Sequence, residues 1–195
     1  MKADSLKIAV GVCGASGICV GLKALEILAE LNAELFICFS GAAKNVLRQE
    51  ENSDYEAFQK SFSKKYPSAK FYDESDFSAP IASGSFYFDA MLVCPMSMKT
   101  LGAVANGIAS NLISRAADVA LKERRRLVAV PRETPLALSH LKNMCELSRA
   151  GAVVMPPCPS FYTKPKTAAD IVENIALRAV SALGLRPANQ KQWGI

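Results

Sequence analysis

Short apolar runs alternate along this chain with stretches whose apolar positions recur every three to four residues. Residues 6–12 (LKIAVGV) and 34–39 (ELFICF) are runs with a β-branched and aromatic bias, which predicts buried strands. Between them, Val20, Leu22, Leu25, Ile27, Leu28 and Leu31 fall at helical spacing, which predicts a helix over 18–31. A second helix is expected over 42–51, and a polar, aromatic helical connection over 52–68. Residues 69–73 (AKFYD) read as a short strand, and 73–86 as a Ser-, Gly- and Pro-rich loop. The alternation then resumes. Strands are expected at 89–95, 127–131 and 152–156, with helices at 97–107, 110–125, 136–150 and 167–183, the last capped by Thr167. Such alternation predicts one doubly wound α/β domain over 1–195, with a mostly parallel sheet, helices on both faces and a tail from about 185.

Composition narrows the class. The 195 residues are 50% hydrophobic, enough for one full core. Six scattered cysteines with no C-x-x-C pair read as reduced thiols, and one histidine makes a zinc site improbable. Glycines interrupt the N-terminal apolar run, and no stretch reaches the about 20 apolar residues of a membrane helix, so a cytoplasmic protein is expected. A net charge of +5 is mild for a nucleic-acid binder but suits an anionic small molecule.

In sheets of this type ligands bind outside the carboxyl ends of the strands. Those ends carry Gly14-Ala15-Ser16, then Ser40, then Ser97-Met98-Lys99-Thr100, then Arg132-Glu133. Each serine alone is explained as a helix cap. Together, at successive strand ends and beside an arginine, they read as a phosphate site. The first turn is not G-x-G-x-x-G, the second strand lacks a terminal Asp or Glu, and no G-K-[ST] loop exists. A mononucleotide such as FMN is therefore favoured over a dinucleotide.

The remaining charges divide. Arg115 and Lys122 lie seven residues apart, on one side of their helix. Arg124, Arg125 and Arg126 follow as a solvated or interfacial run, without the aromatic platform a nucleic-acid surface needs. Asp73 and Asp76 read as turn residues rather than a metal pair, and His140 as a mid-helix residue without a catalytic role.

GASG at 14–17, ASGSF at 82–86, RAADVALKERR from Arg115, LVAVPRETPL from Leu127 and the PP-x-P-x-FY segment ending at Tyr162 resemble the flavin prenyltransferases of the UbiX/Pad type. The resemblance runs from about Ile8 to Trp193. It implies a Rossmann-like flavoprotein fold and transfer of a dimethylallyl group from dimethylallyl phosphate to reduced FMN without a metal. It also implies a UbiD-type decarboxylase as recipient of the product, in ubiquinone precursor synthesis or aromatic-acid breakdown, and homododecamers with sites shared between subunits. On this resemblance Gly14, Ala15, Ser16, Ser40, Ser97, Met98, Lys99, Thr100 and Arg132 contact FMN. Tyr162, Arg178 and Lys122 hold the prenyl phosphate, and Glu50 and Glu133 move protons. Arg115, Ser83 and Trp193 line the site, with Ser16, Arg115 and Lys122 counted among the catalytic groups. Gly41 and Cys19 depart from the pattern, where Lys and an aromatic residue are common. Two other readings remain: an FMN-dependent cysteine decarboxylase, disfavoured by PIASGSF and the lone histidine, and a non-catalytic FMN-binding protein.

Overall fold

A computed structural model describes residues 5–188; Trp193 and the end of the expected tail lie outside the described residues. The strands are β1 (Lys7–Val12), β2 (Glu34–Phe39), β3 (Ala69–Tyr72), β4 (Ala90–Met96), β5 (Arg126–Pro131) and β6 (Val153–Val154). All pair in parallel, in the order β3-β2-β1-β4-β5-β6. The order reverses between β1 and β4, which is where a doubly wound sheet opens its crevice.

Alternation along each strand divides the core in two. Ile8, Val10, Leu35, Ile37, Leu92 and Val128 pack on one face, against α1 (Ile18–Glu30), α2 (Gly41–Glu51), α3 (Tyr55–Lys65) and α7 (Ala168–Ala182). Ala9, Phe36, Met91, Val93 and Leu127 face the other way, against α4 (Met98–Ala105), α5 (Leu112–Lys122) and α6 (Leu138–Arg149). Both faces of the sheet are covered, which is why these strands read as continuous apolar runs.

The described elements differ from the expected ones at four places. The helix expected over 110–125 stops at Lys122, because Arg124 turns left-handed (φ 56°) and the Arg124 and Arg125 N–H groups close back on the Leu121 and Ala120 carbonyls. This is a Schellman-type end with arginine where glycine is usual. The last strand shrinks to two residues at the sheet edge. His140 is not mid-helix: it is the third residue of α6, and its Nδ1 accepts the Ala137 N–H at 3.2 Å. The loop over 73–89 contains one short 3-10 turn, Pro80–Ala82, packed on α5.

Helix α1 crosses the sheet closely at Gly21, where a Cβ would collide with the Cys94 carbonyl oxygen. Alanine normally gains about 1 kcal/mol over glycine inside a helix. Here the obstacle is backbone of the fully buried strand β4, and overpacking costs about 1–3 kcal/mol. Gly21→Ala is therefore expected to lower the urea midpoint. A raised midpoint would show that α1 can shift off β4.

Candidate active site

The carboxyl edge of the sheet holds two cavities, one on each side of the turn after β1. The first, of about 240 Å³, lies where three helices begin. Ser40 caps α2, its Oγ accepting the Ala43 N–H at 3.1 Å. Ser97 caps α4 through the Thr100 N–H, and its hydroxyl sits 3.1 Å from that of Thr100. Asn111 caps α5 through the Ser114 N–H. Gly14, Lys99 and Glu74 also line it. Three positive helix ends and several hydroxyls around one cavity form an anion site.

The second cavity, of about 270 Å³, is walled by Cys19, Val20, Cys94, Val130 and Ile175, with Ser16 and Arg132 at its polar side. Gly17 is left-handed (φ 87°), a conformation glycine adopts without strain. That turn aims the Gly17 and Ile18 N–H groups at one oxygen of Glu50, 2.9 and 3.1 Å away. Burial works against the Glu50 charge. Hydrogen bonds from Ser16, Ile18 and Gly17, with the charge of Arg132, outweigh it and hold the carboxyl below its ordinary range. Burial pushes the Cys19 thiol up, seconded by the charge of Glu51, so it stays protonated beside the cavity. This polar rim around an apolar hollow fits a flat, part-polar ring system, and the first cavity fits its phosphate.

The expected site residues fall into several places. Gly14, Ser40, Ser97, Lys99 and Thr100 line the first cavity, and Ser16 and Arg132 the second. Ala15 is buried in the turn, and the Met98 side chain packs into the core. Glu133 is exposed beyond β5, its carboxylate accepting the Thr134 N–H at 3.0 Å. Tyr162 stands half exposed on a 3-10 turn, Phe161–Thr163, and Arg178 is exposed on α7, one turn beyond Ile175.

Arg115, Lys122 and Ser83 belong to a separate cluster. Helix α5 starts at the carboxyl edge and returns, so Lys122 ends at the opposite edge, just before β5. Arg115 donates to the Ala82 carbonyl (2.9 Å) and pairs with Asp118, while Lys122 pairs with Glu123 against the backbone of Gly84. Within one chain, Lys122 and Arg132 are thus not walls of one pocket, although both flank β5. In the arginine run, Arg124 and Arg126 are exposed as expected, while Arg125 is part-buried. Arg125 donates to the Gly84 and Phe86 carbonyls at 2.8 and 2.9 Å, its guanidinium 4.4 Å from the Phe88 ring centre, and Arg126 donates to the Ala182 carbonyl. These residues hold loops in place. Asp73 and Asp76 each accept from the serine two residues on, closing turns. Among the described residues, no group of three or more His, Cys, Asp or Glu side chains is arranged to hold a metal ion, and no helix is long and apolar enough to cross a membrane. Glu74 and Asn111 were not foreseen as part of the first cavity. Asn directly before the apolar Leu112-Ile113 start of a helix was a legible cap signal; Glu74 had none.

Fold and cavities define a flavoprotein of the doubly wound class, and the Flavoprotein family model matches residues 1–180. The flavin prenyltransferase UbiX of Methanocaldococcus jannaschii is 43% identical over 97% of this chain and 99% of its own length. A crystal structure of AnUbiX (PadA1) with FMN and dimethylallyl pyrophosphate superposes with a TM-score of 0.90 at 39% identity, covering 98% of both chains. A dodecameric FMN-dependent UbiX-like decarboxylase from Escherichia coli O157:H7 gives 0.89 at 39% identity, over 97% of this chain and 100% of that one. The chain belongs to the flavin prenyltransferase family.

The Glu50 hydrogen bonds carry a pH signature. Its carboxyl titrates lower folded than unfolded, so its contribution is complete above the ordinary value of 4.5 and is lost as pH falls through the folded value. The thermal midpoint of the wild type should exceed that of Glu50→Gln at pH 7, and the gap should close below pH 4.5. A gap independent of pH would remove the charge-assisted role.

Proposed function

We propose that this chain transfers a dimethylallyl group from dimethylallyl phosphate to reduced FMN, and that FMN is a substrate rather than a resident cofactor. The observation that carries the reading is the convergence of three helix starts and the Ser40, Ser97 and Thr100 hydroxyls on one cavity, beside a second cavity rimmed by Ser16, Glu50 and Arg132. The 5′-phosphate occupies the first and the isoalloxazine the second. The reduced flavin supplies the electron-rich ring that is alkylated.

The chain's own residues do the rest. Breaking an allylic C–O bond leaves phosphate, and cations with a phenol stabilise that charge as it develops. Lys122, Arg178 and Tyr162 take this role. Closing the new ring releases a proton from a flavin carbon, and Glu133 accepts it, with Glu50 as the second proton-transfer carboxylate. Because Lys122, Arg115 and Ser83 lie away from Arg132 in one chain, this reading has them enter the site from another copy, as in a dodecamer like that of the Escherichia coli protein. The product passes to a UbiD-type decarboxylase in the cytoplasm. The cysteine decarboxylase reading lacks a loop histidine, and plain flavin binding leaves Lys122, Tyr162, Arg178 and Glu133 without a task.

Incubation of the protein with reduced FMN and dimethylallyl phosphate, with chelator present, should raise the flavin's mass by one dimethylallyl group. An unchanged flavin mass overturns the reading. Glu133→Gln should bind FMN as the wild type does but convert it about 10²-fold or more slowly, in line with loss of a general base. Normal turnover would remove Glu133 from that role. In Tyr162→Phe the KM for dimethylallyl phosphate should rise while the FMN Kd holds.

A further inference from the structure

One carboxylate stands inside the cavity of helix starts. Glu74 follows β3, and its Oε1 accepts the Gly41 N–H, the first of α2, at 2.6 Å. Its Oε2 accepts from the Asn111 side chain at 3.0 Å, and its backbone carbonyl takes the Leu112 N–H at 2.7 Å. One residue thus ties the beginnings of α2 and α5 together across the cavity it lines. Gly41 leaves the room: a Cβ there would come within 3.1 Å of the Glu74 carboxylate. The charge is felt nearby, since Glu74 adds to the forces that keep the Cys13 and Cys38 thiols protonated.

A carboxylate on the Gly41 N–H occupies a donor that a phosphate would otherwise use, and it brings a like charge to the same cavity. Both effects weaken the hold on a phosphate dianion. Holding a substrate and its product equally tightly adds nothing to the chemical step. The alkylated flavin leaves with the same 5′-phosphate it arrived with, so an overly strong phosphate grip slows release. We infer that Glu74 is a specificity- and release-tuning residue of the flavin site: it lowers affinity for the 5′-phosphate, and only for that part of the flavin. The inference rests on the reading of this cavity as the flavin phosphate site.

Oxidised FMN and riboflavin, titrated separately by flavin fluorescence, separate the phosphate from the ring. In Glu74→Gln the amide oxygen can still accept the Gly41 N–H while the charge is gone. Its FMN Kd should fall about tenfold, mainly through slower dissociation, with the riboflavin Kd moving less than about twofold. Glu74→Ala removes both the charge and the competing acceptor, so its ratio of riboflavin to FMN Kd should rise at least as far. That ratio is insensitive to a general loss of folded protein. An FMN-to-riboflavin preference equal to or below the wild type's in both variants overturns the inference. A wild type that binds FMN no better than riboflavin overturns the phosphate-site reading itself, and the inference with it.

Discussion

Three backbone hydrogen bonds carry the parallel ladder one step past the ends of its strands. The Cys13 N–H bonds the Pro95 carbonyl at 3.0 Å, the Ser40 N–H bonds Val12 at 3.0 Å, and the Arg132 N–H bonds Met96 at 3.2 Å. Each donor belongs to a turn that opens a cavity, and each acceptor to the end of a neighbouring strand. The turns of the carboxyl edge are therefore tied to the sheet as its extensions. A site that must stabilise developing charge needs its dipoles fixed beforehand, and loop geometry alone does not give that.

From this constraint the division into two cavities follows. The bond from Cys13 to Pro95 crosses the seam at which strand order reverses. The turn after β1 is pinned there, with α1 leaving over one face and α4 and α5 covering the other. On the α4 and α5 side, helix starts meet around a polar hollow that also holds Lys99 and the Glu74 carboxylate. On the α1 and α7 side, apolar residues of β4, β5 and α7 line the hollow.

Much of this was legible in the sequence because both faces of the sheet are covered. Strands 34–39 and 89–95 stand out as apolar runs, and Ser40, Ser97 and Thr167 cap the helices expected of them. Helical spacing brought Arg115 and Lys122 to one side, and both do reach the 82–84 segment. Spacing says which side of a helix a residue takes, not which end of the sheet it reaches. The alternation of strand and returning helix carries that second fact and sends Lys122 to the amino edge. Arg125 was hidden differently: a charged run reads as solvated, whereas this guanidinium is committed to two carbonyls and a ring. Glu74 was unreadable because its partners lie 33 and 37 residues away, at Gly41 and Asn111.

Most of the basic side chains around the end of α5 are engaged within the chain. A nucleic-acid surface needs cations free to replace the counterions of many phosphates. Here Lys122 is paired with Glu123, Arg115 with Asp118, and Arg125 and Arg126 donate to carbonyls. Their charge is directed inward, at loop backbone and adjacent carboxylates. Phosphates of an extended polyanion would have to compete with the carbonyls and carboxylates these side chains already bind.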